Sequence, residues 1–109
     1  MLPFTNGVLT AITPPGTSAD YDTPAEPGAP RWEGELAIYI AEERRDVLVA
    51  GSLDEVIETR LEIPYKIGRL IERRDTLSYT FEGAELHREA GTITRAQLVG
   101  RVRVLLEDG

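Results

Sequence analysis

The chain contains no cysteine, which excludes a disulfide framework and any metal site built from thiolates. It also has a single histidine, His87, and a single lysine, Lys66. A zinc site needs three or four ligands of suitable type and spacing, which one histidine and scattered carboxylates do not supply. We therefore expect neither a bound metal nor a cofactor.

Positive charge is scarce as well: 12 Lys and Arg residues stand against 19 Asp and Glu residues, for a net charge of -7. Proteins that bind nucleic acid gain affinity by displacing counterions with Lys and Arg. Direct binding of DNA or RNA is therefore not expected. An acidic surface close to DNA would instead repel the phosphate backbone and let DNA pass without adhering.

Aromatic residues make up only 6% of the chain, so its core must be built mainly from Val, Leu and Ile. No apolar run approaches the roughly 20 residues that a membrane-spanning helix needs. The N-terminus has neither the basic region nor the small-residue cleavage site of a signal peptide. We expect no membrane partner and a protein that stays where it is made.

Catalytic motifs are also missing, including GxGxxG, GxxxxGK[ST] and the DxDxDG calcium loop. A Ser–His–Asp arrangement could be assembled from Ser78, His87 and Asp75, but nothing like a nucleophile elbow surrounds the serine. We interpret His87 as a polar residue on the outer face of a strand. The sequence predicts a protein that is not an enzyme.

The 109 residues are predicted to form one domain, residues 1–109. Six or seven short strands are predicted, most of them from alternation of apolar and polar residues with period two. They lie at residues 7–13, 32–41, 55–64, 76–81, 84–87 and 98–106, with a short apolar run at 47–50 as the possible seventh. Between them we expect a charged turn at 42–46, a brief helical turn at 52–55, a hairpin turn at Glu82-Gly83 and a break at 89–91. Residues 65–74 fit either one helical turn or a bent strand. This pattern predicts an all-β protein, a small antiparallel β-barrel.

A long segment, residues 14–31, separates the first two strands. It holds five of the seven prolines, namely Pro14, Pro15, Pro24, Pro27 and Pro30. Loops of this length are uncommon inside compact domains. The segment is either a solvent-exposed excursion or a loop that orders against a neighbouring subunit, with Asp20 and Asp22 as contact candidates.

Two further groups of charged residues are candidate interfaces. Arg101 and Arg103 share one face of the last strand, opposite Val102 and Val104. They either pair with Glu58 and Glu62 across a strand or pair with an acidic neighbour in a ring. The predicted charged turn is either solubilising or a subunit contact, through Glu42, Glu43, Arg44 and Arg45.

Several stretches of the chain form a recognisable series when they are taken in order. These are Gly-Ala-Pro-Arg-Trp after the proline-rich segment, then Glu-Ile-Pro, then the hairpin from Arg74 to Gly91, and finally Val-Gly-Arg-Val-Arg-Val-Leu-Leu-Glu-Asp-Gly. The chain resembles the head-to-tail stopper (head-closure) proteins of long-tailed bacteriophages. The positions typical of that family are filled here by Asp75, Leu77, Gly83, Leu86, Val102, Val104 and Leu106. His87 departs from the pattern, since an aliphatic residue is commoner there.

The resemblance implies a small β-barrel that assembles as a six-fold ring in the neck of the virion. Such a ring lies beneath the portal and its adaptor, docks the tail terminator or tail-tube protein, and helps retain packaged DNA. Genomic DNA passes through its channel without sequence-specific binding. The subunit is made in the host cytoplasm. A loop projecting toward the channel or along the neighbouring subunit is typical, and the segments Pro14–Arg31 and Glu42–Asp46 are its candidates. Another neck or tail component, such as a tail terminator, and a small β-barrel binding module are the alternatives.

Overall fold

The computed structural model describes residues 4–16 and 29–107. Its six strands are β1 (Gly7–Thr13), β2 (Trp32–Val49), β3 (Ser52–Pro64), β4 (Thr76–Phe81), β5 (Ala84–Ala96) and β6 (Arg101–Leu106). One short helix, α1 (Tyr65–Gly68), follows β3, and a 3-10 turn (Gln97–Val99) precedes β6. The predicted all-β class is confirmed. Most of the predicted 14–31 loop, with Asp20 and Asp22, lies outside the described residues.

The six strands form one antiparallel sheet that closes on itself in the order β1-β2-β3-β6-β5-β4. The chain makes two meanders of three strands, and pairing of β1 with β4 joins them on one side, as pairing of β3 with β6 does on the other. Closure gives every strand of this closed sheet two neighbours along at least part of its length. It removes the free edges that an open sheet exposes.

The interior of the closed sheet is aliphatic, as the small number of aromatic residues predicts. Its buried apolar residues come from all six strands and from the segment after α1: Leu9, Ile12, Ile38, Ile40, Leu61, Ile63, Ile71, Leu77, Tyr79, Ala90, Val102, Val104 and Leu106. Tyr79 is the single aromatic residue among them, and burial raises the pKa of its hydroxyl, an effect that the nearby Arg88 opposes.

Helix α1 lies in the connection from β3 to β4 and packs against β6. The Tyr65 amide donates to the Gly100 carbonyl at 2.8 Å. A Cβ on Gly68 would lie only 2.7 Å from the Cβ of Val102, so this contact requires glycine. Of the two interpretations for residues 65–74, the helical turn is the one observed.

A buried carboxylate fixes the start of β4. Asp75 is fully buried and accepts hydrogen bonds from the Glu72 amide at 2.9 Å and from the Arg31 Nε at 2.9 Å. This hydrogen bond raises the pKa of the Arg31 guanidinium above its ordinary value. Arg31 directly precedes β2, so the pair fastens the end of the proline-rich segment to the closed sheet.

The predicted charged turn at Glu42–Asp46 is wrong, because β2 continues through these residues to Val49. Eleven consecutive residue pairs join β2 to β3, from Tyr39 opposite Glu62 to Val49 opposite Ser52. Continuous pairing outweighs the low strand propensity of the charged residues. It also extends β3 back to Ser52, where a helical turn was predicted.

The predicted break at residues 89–91 is also wrong, since β5 runs from Ala84 to Ala96. Gly91 lies where the register with β6 shifts, between Ala90 and Ile93. Glycine inside a strand often marks such a bulge. A Cβ at Gly91 would meet the Leu105 carbonyl oxygen at 2.9 Å, so the two strands approach closely there.

The predictions for the two connections within the second meander, β4 to β5 and β5 to β6, have different outcomes. The Glu82-Gly83 turn is confirmed, with φ values of 51° and 80°. The last strand begins at Arg101 rather than Leu98, because Gln97–Val99 form a 3-10 turn. Gly100, at φ 71°, follows that turn, and the alternation of residues between the two strand faces starts anew after it.

Candidate functional site

Strands β2 and β3 extend beyond the closed sheet. β1 pairs with β2 no further than Ile38, and β6 pairs with β3 no further than Arg60. The Asn6 side chain caps the β1 side, donating to the Ile40 carbonyl at 2.8 Å and accepting from the Ile40 amide at 2.7 Å. Residues 43–58, here called the projecting hairpin, continue as a two-stranded ribbon for about 20 Å, at about 3.3 Å per residue.

The turn at the tip of the projecting hairpin is tight. Ala50 and Gly51 link strands whose last pair is Val49 and Ser52, with φ values of 50° and 83°. Two-residue turns with both central residues at positive φ match the twist of paired strands. Glycine adopts that conformation freely, whereas alanine adopts it at a steric cost.

Two ion pairs cross the projecting hairpin diagonally. Arg44 lies 3.2 Å from Glu55, and Arg45 lies 3.4 Å from Glu58. Exposed pairs of this kind are worth a fraction of a kcal/mol. The ribbon nevertheless remains acidic, because five carboxylates stand against two arginines: Glu43, Asp46, Asp54, Glu55 and Glu58.

Large apolar side chains are exposed on the projecting hairpin. It carries five of the eight large hydrophobic residues that are exposed in the described parts of the chain, namely Val47, Leu48, Val49, Leu53 and Ile57. Leu48 and Leu53 are opposite one another beside the turn and are 70% and 72% exposed. A cluster of exposed apolar side chains is the usual mark of an interaction surface. The residues at the end of this hairpin, Val47–Val49 and Leu53, are called the apolar tip below.

Both edges of the projecting hairpin are unpaired within residues 4–16 and 29–107. The Ile40 backbone groups bind Asn6 and so face away from β3. Alternate residues of an antiparallel strand face the same side. The same orientation is therefore expected, along the outer edge of β2, at Glu42, Arg44, Asp46 and Leu48. Unpaired edges are templates for another strand.

Four of the predicted interface residues therefore lie together, but on a strand and not in a turn. They are Glu42, Glu43, Arg44 and Arg45. All four are exposed. Glu42 is opposite Thr59 at the rim of the closed sheet, and the three others belong to the projecting hairpin.

Arg101 and Arg103, the second predicted pair, converge on one carboxylate at the other end of β3. Their guanidinium groups lie 3.2 Å and 3.5 Å from the Glu62 Oε1. The predicted cross-strand pairing with Glu62 is confirmed, and the two arginines leave its side chain only 10% exposed. Pairing with Glu58 is wrong, because that residue lies beyond the end of β6 and contacts Arg45 instead.

Beside these arginines is a groove of about 350 Å³, lined by Thr94, Ala96, Val99, Arg101 and Arg103; we call it the arginine groove. Val99 is 57% exposed, and the neighbouring Leu98 is fully exposed. The predicted strand 98–106 would place Leu98 on the same face as Val102 and Val104, which is wrong because β6 starts after Gly100. Gly100 was the available signal in the sequence that the alternation of strand faces is interrupted there.

The remaining polar candidates are on the outer surface. Ser78 Oγ lies 2.8 Å from His87 Nδ1, and Glu85 lies 3.8 Å from the His87 Nε2. His87 is 58% exposed at its side chain, so its prediction as an outer-face residue is confirmed. Asp75 does not join this group, since it is buried against Arg31. A solvated serine and histidine on a strand lack the water exclusion that strengthens catalytic electrostatics.

Within the described residues, no group of three or more His, Asp or Glu side chains is placed to hold a metal ion. No helix in those same ranges is long and apolar enough to cross a membrane. No family model, no curated protein and no solved structure matches the chain. The projecting hairpin and the arginine groove are therefore the candidate functional surfaces of the described residues.

Proposed function

We propose that this protein is a structural subunit of a phage head-to-tail stopper ring. In this function, six copies join the portal and its adaptor to the tail and help to retain packaged DNA. The observation that carries the proposal is the projecting hairpin, an exposed two-stranded ribbon with an apolar tip. Monomeric proteins rarely leave such a surface uncovered.

The division of the molecule supports an assembly function. The closed sheet serves as a small β-barrel body with a fully buried aliphatic interior. The projecting hairpin extends from that body and corresponds to the arm of a subunit that reaches its neighbours. It contains most of the Glu42–Asp46 segment, one of the two candidates for the projecting loop of the family that the sequence resembles.

The charge of the chain supports the same function. A net charge of -7 disfavours adhesion to the DNA backbone, as a channel that DNA must traverse requires. The expected partners are further copies of the chain, the adaptor above and the tail terminator or tail-tube protein below. The ring belongs to the virion neck and is assembled in the host cytoplasm.

A tail terminator is the less favoured neck protein, because its usual central helix has no counterpart in the described residues, where α1 has four residues. A β-barrel binding module is the second candidate, favoured by the two unpaired edges of the projecting hairpin. Such modules add a peptide strand to an exposed edge. A module of that kind would bind an extended peptide as a monomer, without forming a ring.

Deletion of the gene from the phage genome that encodes it tests the proposal. The stopper function predicts capsids that package DNA, fail to join tails and lose their DNA, with free tails in the same lysate. Electron microscopy and nuclease protection of the packaged DNA measure both effects, and a plasmid copy of the gene should restore joined particles. Normal infectious particles from the deletion strain would exclude the stopper function.

A further inference from the structure

Exposed apolar side chains form two separate patches at opposite ends of the molecule. Eight large hydrophobic residues are exposed in the described ranges, and Phe4, one of them, packs edge-on against Tyr39 at 5.6 Å between ring centroids. The other seven belong to the projecting hairpin or to Leu98 and Val99.

The two patches are far apart along β3. Leu53 is beside the turn of the projecting hairpin, whereas Pro64, at the other end of the strand, pairs with Arg101 of the arginine groove. Eleven residues at about 3.3 Å each separate them by about 35 Å. The apolar tip of one chain therefore cannot reach the arginine groove of the same chain.

The charges of the two patches are opposite. The projecting hairpin is acidic, with Asp46 and Asp54 flanking its apolar tip. The arginine groove presents two guanidinium groups against one carboxylate, so it keeps a positive charge on an otherwise acidic protein. Complementary charge of this kind orients two surfaces and suppresses wrong pairings.

We propose that the apolar tip of one copy docks in the arginine groove of the next copy. Leu48 and Leu53 pack against Leu98 and Val99, while the acidic flanks of the tip face Arg101 and Arg103. The contact is heterologous, since different surfaces of the two copies meet, and repetition of such a contact closes a ring when the rotation permits. This inference rests on the proposed function, because it assigns the subunit contact of the ring.

Cysteine cross-linking tests the contact directly, since the chain has no cysteine of its own. A Leu48→Cys chain is mixed with a Val99→Cys chain under mild oxidation. The experiment is done once with the free chains at high concentration and once in the presence of the portal–adaptor complex. A disulfide requires Cα atoms within about 7 Å. We expect the mixed dimer to form at least ten times faster than between Leu48→Cys and a Phe4→Cys control.

Leu98→Asp provides a second test, because a fully exposed residue can be replaced without loss of the fold. When Leu98→Asp is added to the Val99→Cys chain, cross-linking of that chain to the Leu48→Cys chain should become at least five times slower, while the circular dichroism spectrum stays unchanged. Leu98→Met in the same chain should not slow the cross-linking. The docking contact is overturned if Leu48→Cys and Val99→Cys cross-link no faster than Leu48→Cys and Phe4→Cys, both as free chains and with the portal–adaptor complex.

The outcomes separate this inference from the proposed function. If six copies join the portal–adaptor complex without the tip–groove disulfide, the contact is wrong and the ring function stands. If the disulfide forms rapidly but no copy joins the complex, the contact stands and the stopper function is wrong. If neither is observed, both are wrong.

Discussion

The two halves of β3 have similar alternation but opposite environments. In the inner half, Thr59, Leu61 and Ile63 face the interior and are at most 2% exposed. In the outer half, Leu53 and Ile57 continue the same face and are 72% and 45% exposed. The difference lies in the neighbours: β2 and β6 flank the inner half, whereas β2 alone accompanies the outer half. Alternation therefore identifies a strand but not what covers it.

The largest expected effect comes from shortening the same residue type in the two halves. Leu61→Ala should lower the free energy of unfolding by about 2–5 kcal/mol, because it leaves a cavity in the core. Leu53→Ala, its matched control on the same strand, should change that free energy by no more than about 0.5 kcal/mol. Urea unfolding followed by circular dichroism measures both. Equal losses would mean that the projecting hairpin is packed in solution.

The ion pairs allow a second comparison, between a buried carboxylate and an exposed one. Asp75→Ala should cost about 1–3 kcal/mol, because it leaves the Glu72 amide and the Arg31 guanidinium without their acceptor. Asp75→Asn should cost less, since its amide oxygen still accepts one hydrogen bond. Glu55→Ala, which removes the exposed partner of Arg44, should cost at most about 0.5 kcal/mol. Thermal unfolding at neutral pH ranks the three variants, and the reverse order would contradict this comparison.

The turn of the projecting hairpin provides a smaller and opposite effect. Ala50 adopts a positive φ of 50°, which asparagine tolerates better. Ala50→Asn should stabilise the hairpin by up to about 1 kcal/mol, because it relieves part of the steric cost of alanine in the left-handed region. Because the hairpin can open without the closed sheet, the gain should be visible as slower amide hydrogen exchange in residues 43–58 only. Gly51→Ala, at φ 83°, should accelerate exchange in the same residues. Slower exchange throughout the molecule would show that hairpin and closed sheet open as one unit.

The smallest effect concerns alkaline pH and Tyr79 inside the closed sheet. Burial raises the pKa of the Tyr79 hydroxyl above that of the unfolded chain, which is about 10. Its contribution to stability is therefore complete below about pH 10 and is lost as pH rises through the folded-state pKa. Tyr79→Phe should flatten this alkaline decline, measured by urea unfolding between pH 9 and pH 11. Tyr39→Phe, on the outer face of β2, should leave it in place; a decline unchanged by Tyr79→Phe would contradict the assignment.

Much of the closed sheet was predictable because its strands are half-buried. Strand β1 was predicted with the bounds that it has, and Leu77 and Tyr79 mark the buried face of β4 as expected. The Glu82-Gly83 turn was recognisable because glycine permits the positive φ that such turns need. These predictions depend only on residues close to one another in the chain.

The candidate surfaces were predictable only in part. Charged residues from Glu42 to Asp46 read as a turn because their strand has solvent on both faces, so alternation gives no signal there. Leu98 was predicted on the same strand face as Val102 because their spacing is even, whereas a 3-10 turn and Gly100 intervene. In both cases the decisive factor is where a neighbouring strand ends, which depends on pairing between distant segments.

Native mass spectrometry of the protein with the portal–adaptor complex tests most directly whether the projecting hairpin is an assembly surface. The parent chain is compared with a variant in which Val47, Leu48 and Leu53 are replaced by serine, all of them exposed. We predict six bound copies of the parent and at least a tenfold loss of bound variant, with the variant's thermal unfolding unchanged. Six copies of both chains, or no binding by the parent, would contradict this account.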